Sequence, residues 1–549
     1  MTTQPQDKSA PSGHDSAHSE VRRYLVNIDS NLIPQVFTDC LILGAGIAGL
    51  RAAIEVCRHC NPILACKGTL DESNTWKAQG GIASAQDNTD SFDSHIADTL
   101  RIGCGINDPN VVELVVRQGP ELLEQLLKWG AKFDMVNGQI ATTLEGGHTQ
   151  PRIAHAHGDE TGRIIAETLI RKVKQSANIK ILENFYAIDL LTHQNNECVG
   201  AIGYDGRGLV IIWSATTILA TGGTGQLYRE TTNPRVATGD GLAMTYRAGA
   251  VLQDLEFMQF HPTTLYIAGA SRALITEALR GEGAILVDAN GTPFMKEYHE
   301  SAELAPRDIV SRAILSKMLK TNTTHVYLDV RHFQRQHFAK RFPYINELFE
   351  SFDIDITKDL IPVRPSAHYM IGGVKTDINA QTSIKNLYAC GEAAATGLHG
   401  ANRLGSNSLL ESLVFGKIAG QQASRKPKAK SVRPETIKYK IPHSDRTHLN
   451  AEDVRNSLRA LMWRNVGITR KEKPLAEAQE IIRFWQRYVM DKVFESPQGW
   501  ECQNMLTISL LMANAAQIRQ ESRGVHFRSD FPETDDTNFK KYIEIQRGK

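Results

Sequence analysis

Residues 38–50 decide the fold, and they read TDCLILGAGIAGL. The apolar run ends at the glycines Gly44, Gly46 and Gly49, a helical pattern follows, and residues 63–66 form a second short apolar run. This order of strand, glycine turn, helix and strand predicts a βαβ unit. In such a unit the first glycine permits a tight turn, the second lets the backbone approach a pyrophosphate, and the third lets helix and strand pack closely. The pattern therefore predicts a dinucleotide-binding turn.

One element departs from the common dinucleotide fingerprint. About 20 residues further on, after the second strand, a carboxylate normally holds the ribose. This chain has Lys67 and Gly68 at that point, and the acids Asp71 and Glu72 come later. The departure argues against a nicotinamide dinucleotide and calls for another account of the cofactor.

Two later segments also run from a strand into glycines, at residues 216–223 and 386–392. Such widely separated strands fit one domain built from discontinuous parts. The predicted fold class is therefore α/β, a Rossmann-like dinucleotide domain with an inserted α+β capping domain and a C-terminal helical domain. The expected boundaries are a disordered tail at 1–36, the dinucleotide domain at 37–254 and 363–424, the capping domain at 255–362, a basic linker at 425–447, helices at 448–535 and a tail at 536–549.

The bulk composition excludes several classes of protein. Of 549 residues, 41% are hydrophobic and 22% charged, and the net charge of +1 gives no argument for nucleic acid or a membrane surface. No apolar run reaches the roughly 18 residues that span a bilayer, and no signal peptide is recognisable. Eight scattered cysteines fit reduced thiols in a cytoplasmic protein. We expect no metal site, since the C-x-x-C of Cys57 and Cys60 has no partner motif and no H-E-x-x-H is present.

Residues 399–411, HGANRLGSNSLLE, combine a helix start with an arginine. The Ser-Leu-Leu-Glu run predicts a helix N-terminus, where free N–H groups and the dipole favour an anion or an electron-rich ring edge. Arg403, just upstream, suits a carboxylate because its planar guanidinium group can bind both carboxylate oxygens.

Four other polar residues lie in short segments rich in glycine or proline: His261, Thr276, Arg307 and His368. Taken singly, each fits an ordinary structural role, such as a core histidine or an ion pair at a helix start. Together with Arg403 they indicate a positively charged site for a small dicarboxylate.

The residues of these motifs and their order along the chain resemble those of the L-aspartate oxidases, a branch of the succinate dehydrogenase and fumarate reductase flavoprotein superfamily. The resemblance extends from about Thr38 to Glu533. It rests on the segments GAGIAGL, AQGGIA, EFMQFHPTTL, TEALRGEGA, ELAPRDIV, HGANRLGSNSLLE and ESRGVHF.

The resemblance implies FAD as the cofactor and explains Lys67, because the family normally has lysine there. FAD is expected to be noncovalent, since Asn74 occupies the position at which membrane succinate dehydrogenases carry a flavin-linked histidine. The cofactor contacts implied are Ala45, Gly46, Ile47, Ala48, Lys67, Asn74, Thr75, Trp76, Lys77, Ala78, Gln79, Gly80, Gly81, Asp240, Glu392, Ser408 and Leu409.

The resemblance also implies a reaction, the oxidation of L-aspartate to iminoaspartate. Electrons would pass to O₂, giving H₂O₂, or to fumarate, giving succinate, and the product would go to quinolinate synthase as the first step of NAD biosynthesis. Glu145 would meet the substrate ammonium, and Arg307 is assigned a proton-transfer role. The carboxylates would be held by Arg307, Arg403, His261, His368 and Thr276.

Two alternatives remain open from the sequence. One is a soluble fumarate reductase that never uses aspartate. Glu145 distinguishes the aspartate oxidases from such a reductase. The other is a flavin-bound scaffold or electron-transfer subunit without catalysis, against which the intact histidines and arginines argue. The segment Thr149-Gln150-Pro151-Arg152 departs from the more basic stretch of familiar members, which leaves the shape of this loop open.

Overall fold

The structure is a computed structural model that describes residues 21–86, 90–193, 196–268, 272–425, 434 and 436–548. Residues 1–20 of the expected tail, most of 426–435 in the expected linker, and residue 549 lie outside the described residues.

The strands, in chain order, are β1 (Ile28–Asp29), β2 (Gln35–Leu43), β3 (Pro62–Ala65), β4 (Ile82–Ala83), β5 (Met135–Val136), β6 (Gln139–Ile140), β7 (Thr142–Thr143), β8 (Ile153–Ala154), β9 (Lys180–Leu182), β10 (Tyr186–His193), β11 (Glu197–Tyr204), β12 (Leu209–Leu219), β13 (Val251–Gln253), β14 (Met258–Leu265), β15 (Ile285–Val287), β16 (Val326–Asp329), β17 (Ile361–Met370), β18 (Gly373–Lys375), β19 (Leu387–Ala389), β20 (Ala394–Ala395), β21 (Lys438–Tyr439), β22 (Thr469–Arg470), β23 (Phe527–Arg528) and β24 (Glu544–Gln546).

The α-helices are α1 (Ile47–Val56), α2 (Phe92–Ile102), α3 (Pro109–Lys128), α4 (Thr161–Lys174), α5 (Asp240–Arg247), α6 (Glu277–Gly281), α7 (Arg307–Thr321), α8 (Arg335–Arg341), α9 (Pro343–Glu350), α10 (Asn407–Ser424), α11 (Ala451–Asn465), α12 (Glu472–Val489), α13 (Pro497–Ile518) and α14 (Asp536–Phe539). None of the helices in the described ranges is both long enough and apolar enough to cross a membrane.

The largest sheet has the strand order β10-β11-β12-β2-β3-β9, and β19 pairs with the second half of β12. The strands β12, β2, β3, β9 and β19 are mutually parallel, whereas β10, β11 and the first half of β12 are antiparallel. The register aligns Leu43, Ala65, Leu219 and Ala389 at one edge. In open α/β sheets ligands bind outside the carboxyl ends of the parallel strands, so this edge positions the site. The predicted fold class is confirmed.

The glycine turn has the geometry that the sequence predicts. Gly44 adopts a φ of +110°, and a Cβ there would lie 2.1 Å from the Ala220 carbonyl oxygen. A Cβ on Gly49 would lie 1.9 Å from the Gly44 oxygen. Only glycine fits either position, because the turn folds tightly against β12 and helix α1 packs directly on the turn. All ten residues of α1 are buried.

The inserted segment forms its own antiparallel sheet, in the order β14-β17-β16-β15. A separate hydrophobic core joins this sheet to α7, α8 and α9, with Leu286, Ile314 and Phe338 fully buried. The boundary predicted at residue 362 lies inside β17, which continues to Met370 because its second half pairs with β14. The return to the dinucleotide-binding region therefore comes after β17, and the 255–362 limits need this correction.

The predicted C-terminal helices are α11, α12 and α13. Leu475, Ala478 and Ile482 are fully buried on one face of α12, as their helical spacing predicts. Helix α13 is buried along almost its whole length, because it packs between α11, α12 and α5.

Two segments expected to be tails are ordered where the structure describes them, so that expectation is wrong for residues 21–36 and 536–548. Leu25 is fully buried, and Ile28 pairs with Tyr439 inside the expected linker. At the other end, Ile545 pairs with Leu252 of β13. Main-chain hydrogen bonds to strands far along the chain supply an order that the local composition does not indicate.

Candidate active site

A cleft opens at the carboxyl edge of the large sheet, with about 1870 Å³ of space free of protein atoms, including solvent at its mouth. This is ample for a ligand of dinucleotide size. Of the predicted cofactor contacts, those that line the cleft are Ala45, Gly46, Ile47, Ala48, Lys67, Asn74, Thr75, Lys77, Ala78, Gln79, Asp240, Glu392, Ser408 and Leu409. Trp76, Gly80 and Gly81 belong to the same loop as Asn74 but do not line the cleft.

Two helix N-termini meet this cleft. Helix α1 begins beside the glycine turn, and Ile47 N–H donates to Thr75 Oγ1 at 3.1 Å. Helix α10 begins at Asn407, one residue earlier than the Ser-Leu-Leu-Glu pattern indicates, after Ser406 in a left-handed conformation with φ of +64°. Helix N-termini favour anionic groups, so α1 suits a pyrophosphate and α10 suits the polar edge of a flavin.

Unpaired polar atoms in the cleft fit a bound cofactor. Among the described residues, Gln79 Oε1 and Thr221 Oγ1 are buried without a hydrogen-bond partner, and both residues line the cleft. Buried polar atoms normally have partners, so these atoms fit the hydrogen-bonding groups of an FAD molecule.

The cleft wall after β3, where dinucleotide-binding folds place the ribose, carries Lys67 in place of the usual acid. Lys67 Nζ donates to Asp240 Oδ2 at 2.8 Å and to Thr238 Oγ1 at 2.7 Å. A carboxylate thus does reach this corner, from the start of α5 and not from the end of β3, and it pairs with Lys67.

Asn74, on which the expectation of noncovalent cofactor binding rests, lines the cleft. Its Nδ2 donates to Glu392 Oε2 at 2.8 Å. Burial raises the pKa of Glu392 to about 7, opposed by the hydrogen bond from the Met370 N–H. An amide has no ring nitrogen that could attack the flavin, so the geometry fits noncovalent binding.

The predicted carboxylate-binding arginines converge on one side chain. Arg307 Nη1 and Arg403 Nε both donate to Gln259 Oε1, each at a distance of 3.2 Å. Arg403 Nη1 also donates to Ser408 Oγ at 2.6 Å, and its guanidinium lies 4.5 Å from the centre of the Tyr369 ring. Burial and the charge of Arg307 lower the pKa of Arg403 to about 10, so it remains a cation at neutral pH.

A buried carboxylate fixes the orientation of Arg307. Glu277 Oε2 accepts from Arg307 Nε at 2.7 Å and lies 2.6 Å from its Nη2. Arg280 Nη2 donates to the other oxygen of Glu277 at 3.0 Å. Burial alone would raise the pKa of Glu277, but Arg307 and Arg280 outweigh it and lower the pKa. Glu277 is therefore ionised and orients Arg307 through two contacts.

Glu145 is buried beside this arginine. A Cβ built on Gly405 would lie 3.3 Å from Arg307 Nη2, 3.3 Å from Glu277 Oε2 and 3.7 Å from Glu145 Oε2. Ser406 Oγ donates to Glu145 Oε2 at 3.2 Å. Burial first, and then the charge of Glu277, raise the pKa of Glu145 to about 7. Glu145 is only 2% exposed, so it is a buried member of this cluster and not an exposed loop residue.

The second oxygen of Glu145 faces a histidine. His155 Nε2 lies 3.5 Å from Glu145 Oε1 and 2.9 Å from Thr143 Oγ1. Burial lowers the pKa of His155 to about 3, so the ring is neutral and does not balance the Glu145 charge. Glu145 Oε1 has no hydrogen-bond partner in the described chain, which leaves it available to a ligand.

The two predicted histidines lie together, with ring centres 5.2 Å apart. Burial and the nearby arginines hold the pKa of both His261 and His368 well below the usual range, so both are neutral hydrogen-bonding groups. His368 lines the cleft and is held by Thr232 Oγ1 at 2.9 Å. Thr276 is buried at the N-cap of α6, where its hydroxyl accepts from Ala278 N–H at 3.4 Å.

Four residues of this site were not predicted as site residues from the sequence: Gln259, Glu277, Ser406 and His155. Gln259 has a recoverable signal, because it lies two residues before His261 in a strand and thus on the same face. Glu277 follows Thr276 in a motif already singled out. Nothing in the local sequence indicates that His155 meets Glu145.

The strand topology, the two helix N-termini and the paired arginines fit an FAD-dependent flavoprotein with a site for a small acid. Residues 39–409 match the model of the FAD binding domain, and residues 455–548 match that of the fumarate reductase flavoprotein C-terminus. No group of three or more His, Cys, Asp or Glu in the described part of the chain could hold a metal ion.

Curated relatives narrow this class. The L-aspartate oxidase of Streptomyces coelicolor is 39% identical over 93% of this chain and 92% of its own, and that of Acinetobacter baylyi is 40% identical over 92% and 95%. The chain belongs to the L-aspartate oxidase family, and its cofactor is FAD.

Solved structures agree with this fold. A quinol-fumarate reductase chain solved with menaquinol is similar with a TM-score of 0.85 and 32% identity, over 93% of this chain and 96% of that one. A Mycobacterium smegmatis Sdh1 chain in complex with UQ1 has a TM-score of 0.78 and 33% identity, over 92% and 90%.

Proposed function

We propose that this protein oxidises L-aspartate to iminoaspartate. The observation that carries the proposal is the position of Glu145 beside Arg307, with both side chains within 4 Å of a Cβ placed on Gly405. Arginines bind carboxylates, and a buried carboxylate next to them is the element that suits an ammonium group. The site thus offers complementary partners for each charged group of aspartate, in keeping with the curated names of the relatives.

The arginines divide the binding of the two carboxylates. Arg403 is fixed by Gln259 and Ser408, and Arg307 by Gln259 and Glu277. Side chains held this firmly lose little further entropy when a substrate binds, which is how an enzyme orients a reactant. His261 and His368, being neutral, add hydrogen bonds without further positive charge.

FAD, when bound, would supply a two-electron acceptor for the hydride from C2 of aspartate, with O₂ (giving H₂O₂) or fumarate (giving succinate) as the final acceptor. The chain holds it noncovalently, since Asn74 offers only an amide. Ser408 and Leu409, at the start of α10, face the cleft and would favour negative charge on a flavin ring edge placed there. Iminoaspartate, as the product, would pass to quinolinate synthase in NAD biosynthesis.

Arg307 has a second proposed role, the delivery of a proton when fumarate is reduced. Glu277 keeps its guanidinium fixed, so the donor geometry is set before the substrate arrives. In aspartate oxidation Arg307 acts mainly through its charge, because arginine stays protonated and is a poor base.

A fumarate reductase that does not use aspartate is the alternative function. It is favoured by the similarity to quinol-fumarate reductase structures and by the same pair of arginines, which suits any small dicarboxylate. Glu145 argues against it, because fumarate has no group that a buried carboxylate would bind.

Anaerobic bleaching of the bound flavin tests the proposal. The purified protein is mixed in parallel with L-aspartate, D-aspartate and succinate, and the flavin absorbance near 450 nm is followed. We expect L-aspartate to bleach the flavin and D-aspartate to leave it oxidised. Bleaching by succinate alone would replace this proposal with the fumarate reductase. A yellow protein that no acid bleaches would indicate a noncatalytic flavin scaffold.

A further inference from the structure

Helix α13 reaches the wall of the FAD cleft through two buried polar side chains, Glu501 and Asn504. Glu501 forms an ion pair with Lys67, and Asn504 Nδ2 donates to Asp240 Oδ1 at 2.7 Å. Lys67 and Asp240 line the cleft, whereas Glu501 and Asn504 do not. Glu501 and Asn504 can therefore influence a bound cofactor only through Lys67 and Asp240.

Asp240 is fully occupied by its neighbours. Its Oδ1 accepts from the Tyr186 hydroxyl at 2.8 Å and from Asn504, and its Oδ2 accepts from Lys67 at 2.8 Å and from Thr238 Oγ1 at 2.6 Å. A carboxylate has about four acceptor positions, and all of them are taken. Asp240 therefore contributes to the cleft by holding other groups in place.

Lys67 is held as completely as Asp240. Its ammonium group contacts Asp240, Thr238 Oγ1, Glu501 and, at 3.3 Å, the Val236 carbonyl oxygen, and an ammonium has only three protons to donate. Burial alone would lower the pKa of Lys67, but the two carboxylates outweigh burial and raise it, so the cation persists. Removing one carboxylate would leave a buried cation with part of its partners missing.

The position of Lys67 relates this network to the cofactor. It follows β3, about 20 residues after the glycine turn, where dinucleotide-binding folds place the adenosine ribose. Glu501 is fixed in turn by Arg455 of α11, whose Nη1 lies 2.8 Å from Glu501 Oε2. The cleft wall beside the ribose is thus tied to two helices of the C-terminal region.

We propose that Glu501 is a positioning residue for FAD, which holds Lys67, and with it the ribose wall of the cleft, from helix α13. FAD affinity then depends on the C-terminal helices, although their residues do not line the cleft. The inference rests on FAD binding and is independent of which acid is oxidised.

The test is the dissociation constant of FAD for the full-length protein after the flavin has been removed, measured by flavin fluorescence. Glu501→Gln keeps the shape of the side chain and removes its charge, so we expect FAD to bind about tenfold more weakly, the loss typical of one charge-assisted hydrogen bond. Glu477→Gln on α12 is the matched control, because this half-exposed glutamate contacts Arg464 and Asn465 and not the cleft. The control should bind FAD as the parent does.

A double-mutant cycle separates positioning from general loosening of the fold. If Glu501 acts through Lys67, the pair Lys67→Met and Glu501→Gln should bind FAD no more weakly than Lys67→Met alone. Losses that multiply would overturn the proposal. So would a Glu501→Gln protein that melts at a lower temperature without FAD yet binds FAD with the parent affinity, because that result assigns Glu501 a purely structural role.

Discussion

Arg307 and Arg403 donate to the same oxygen, Gln259 Oε1, and each hydrogen bond is 3.2 Å long. Two buried guanidinium groups repel each other, and one shared acceptor between them offsets part of that repulsion. Gln259 therefore sets the spacing of the two cations before a dicarboxylate arrives.

Gln259→Leu should weaken binding of both acids, because each arginine loses an acceptor that fixes its orientation. We expect KM for L-aspartate and for fumarate to rise by about tenfold, the value of a charge-assisted hydrogen bond. Steady-state kinetics with each acid measure the effect. Gln139→Leu in the exposed β5–β6 hairpin is the control and should leave both constants unchanged. A rise for one acid only would contradict a shared spacing role.

Glu145→Gln should separate the two substrates. It removes the charge proposed to meet the ammonium group but leaves the arginines intact, so kcat/KM for L-aspartate should fall about a hundredfold and that for fumarate should change little. Glu113→Gln on the exposed face of α3 serves as the control. Equal losses with both acids would count against aspartate as the substrate.

The pH dependence of aspartate binding should report Glu145 directly. Because burial raises its pKa to about 7, the side chain is neutral below pH 7 and gains its charge as the pH rises through 7. KM for L-aspartate should therefore fall between about pH 6 and pH 8 and then level off. KM for fumarate should lack this step, as should KM for aspartate in the Glu145→Gln variant. A step that persists in that variant would have to come from another group.

Arg307→Lys tests the proposed proton transfer. A lysine keeps the charge but cannot reproduce the two contacts that Arg307 Nε and Nη2 make with Glu277 Oε2, so the donor loses its fixed direction. We expect fumarate reduction to fall by about 100-fold or more in kcat, as for the loss of a positioned acid. Arg312→Lys, on the same helix and partly exposed, is the control. Near-normal turnover with both acids would refute a proton-transfer role.

Gly405→Ala should narrow the substrate site without disturbing the fold. The added methyl would lie 3.3 Å from Arg307 Nη2 and Glu277 Oε2, in the space where we place the substrate between Arg307 and Glu145. We expect a rise of about tenfold or more in KM for both acids, with the flavin spectrum unchanged. Gly208→Ala is a clean control, because a Cβ there meets nothing within 4 Å. An unchanged KM would show that the substrate lies elsewhere.

The sequence predicts most of the dinucleotide-binding framework, because those elements follow from local pattern. The run before Gly44 became β2, the helical pattern after it became α1, and the segment before Gly391 became β19. Tight turns and helix starts depend on a few neighbouring residues, which a sequence displays directly.

The ends of the chain were predicted less well for the opposite reason. Ile28 and Ile545 are held by strands hundreds of residues away, so their polar surroundings in sequence gave a misleading picture. Composition indicates whether a segment can fold by itself, and these segments are ordered by contacts that it does not describe.

By itself, the sequence determined the glycine turn, the helix start after Arg403 and the residue types available for an acid. Only the tertiary structure decided that Gln259 joins the two arginines, that Glu145 is buried beside Arg307, and that Glu501 holds Lys67 from the other end of the chain. These contacts connect residues whose separation along the chain carries no periodic signal. They exist because the packed layers bring side chains from distant parts of the chain together in an interior of low dielectric constant. There the geometry fixes which groups pair, and burial shifts their pKa values and thus their charge.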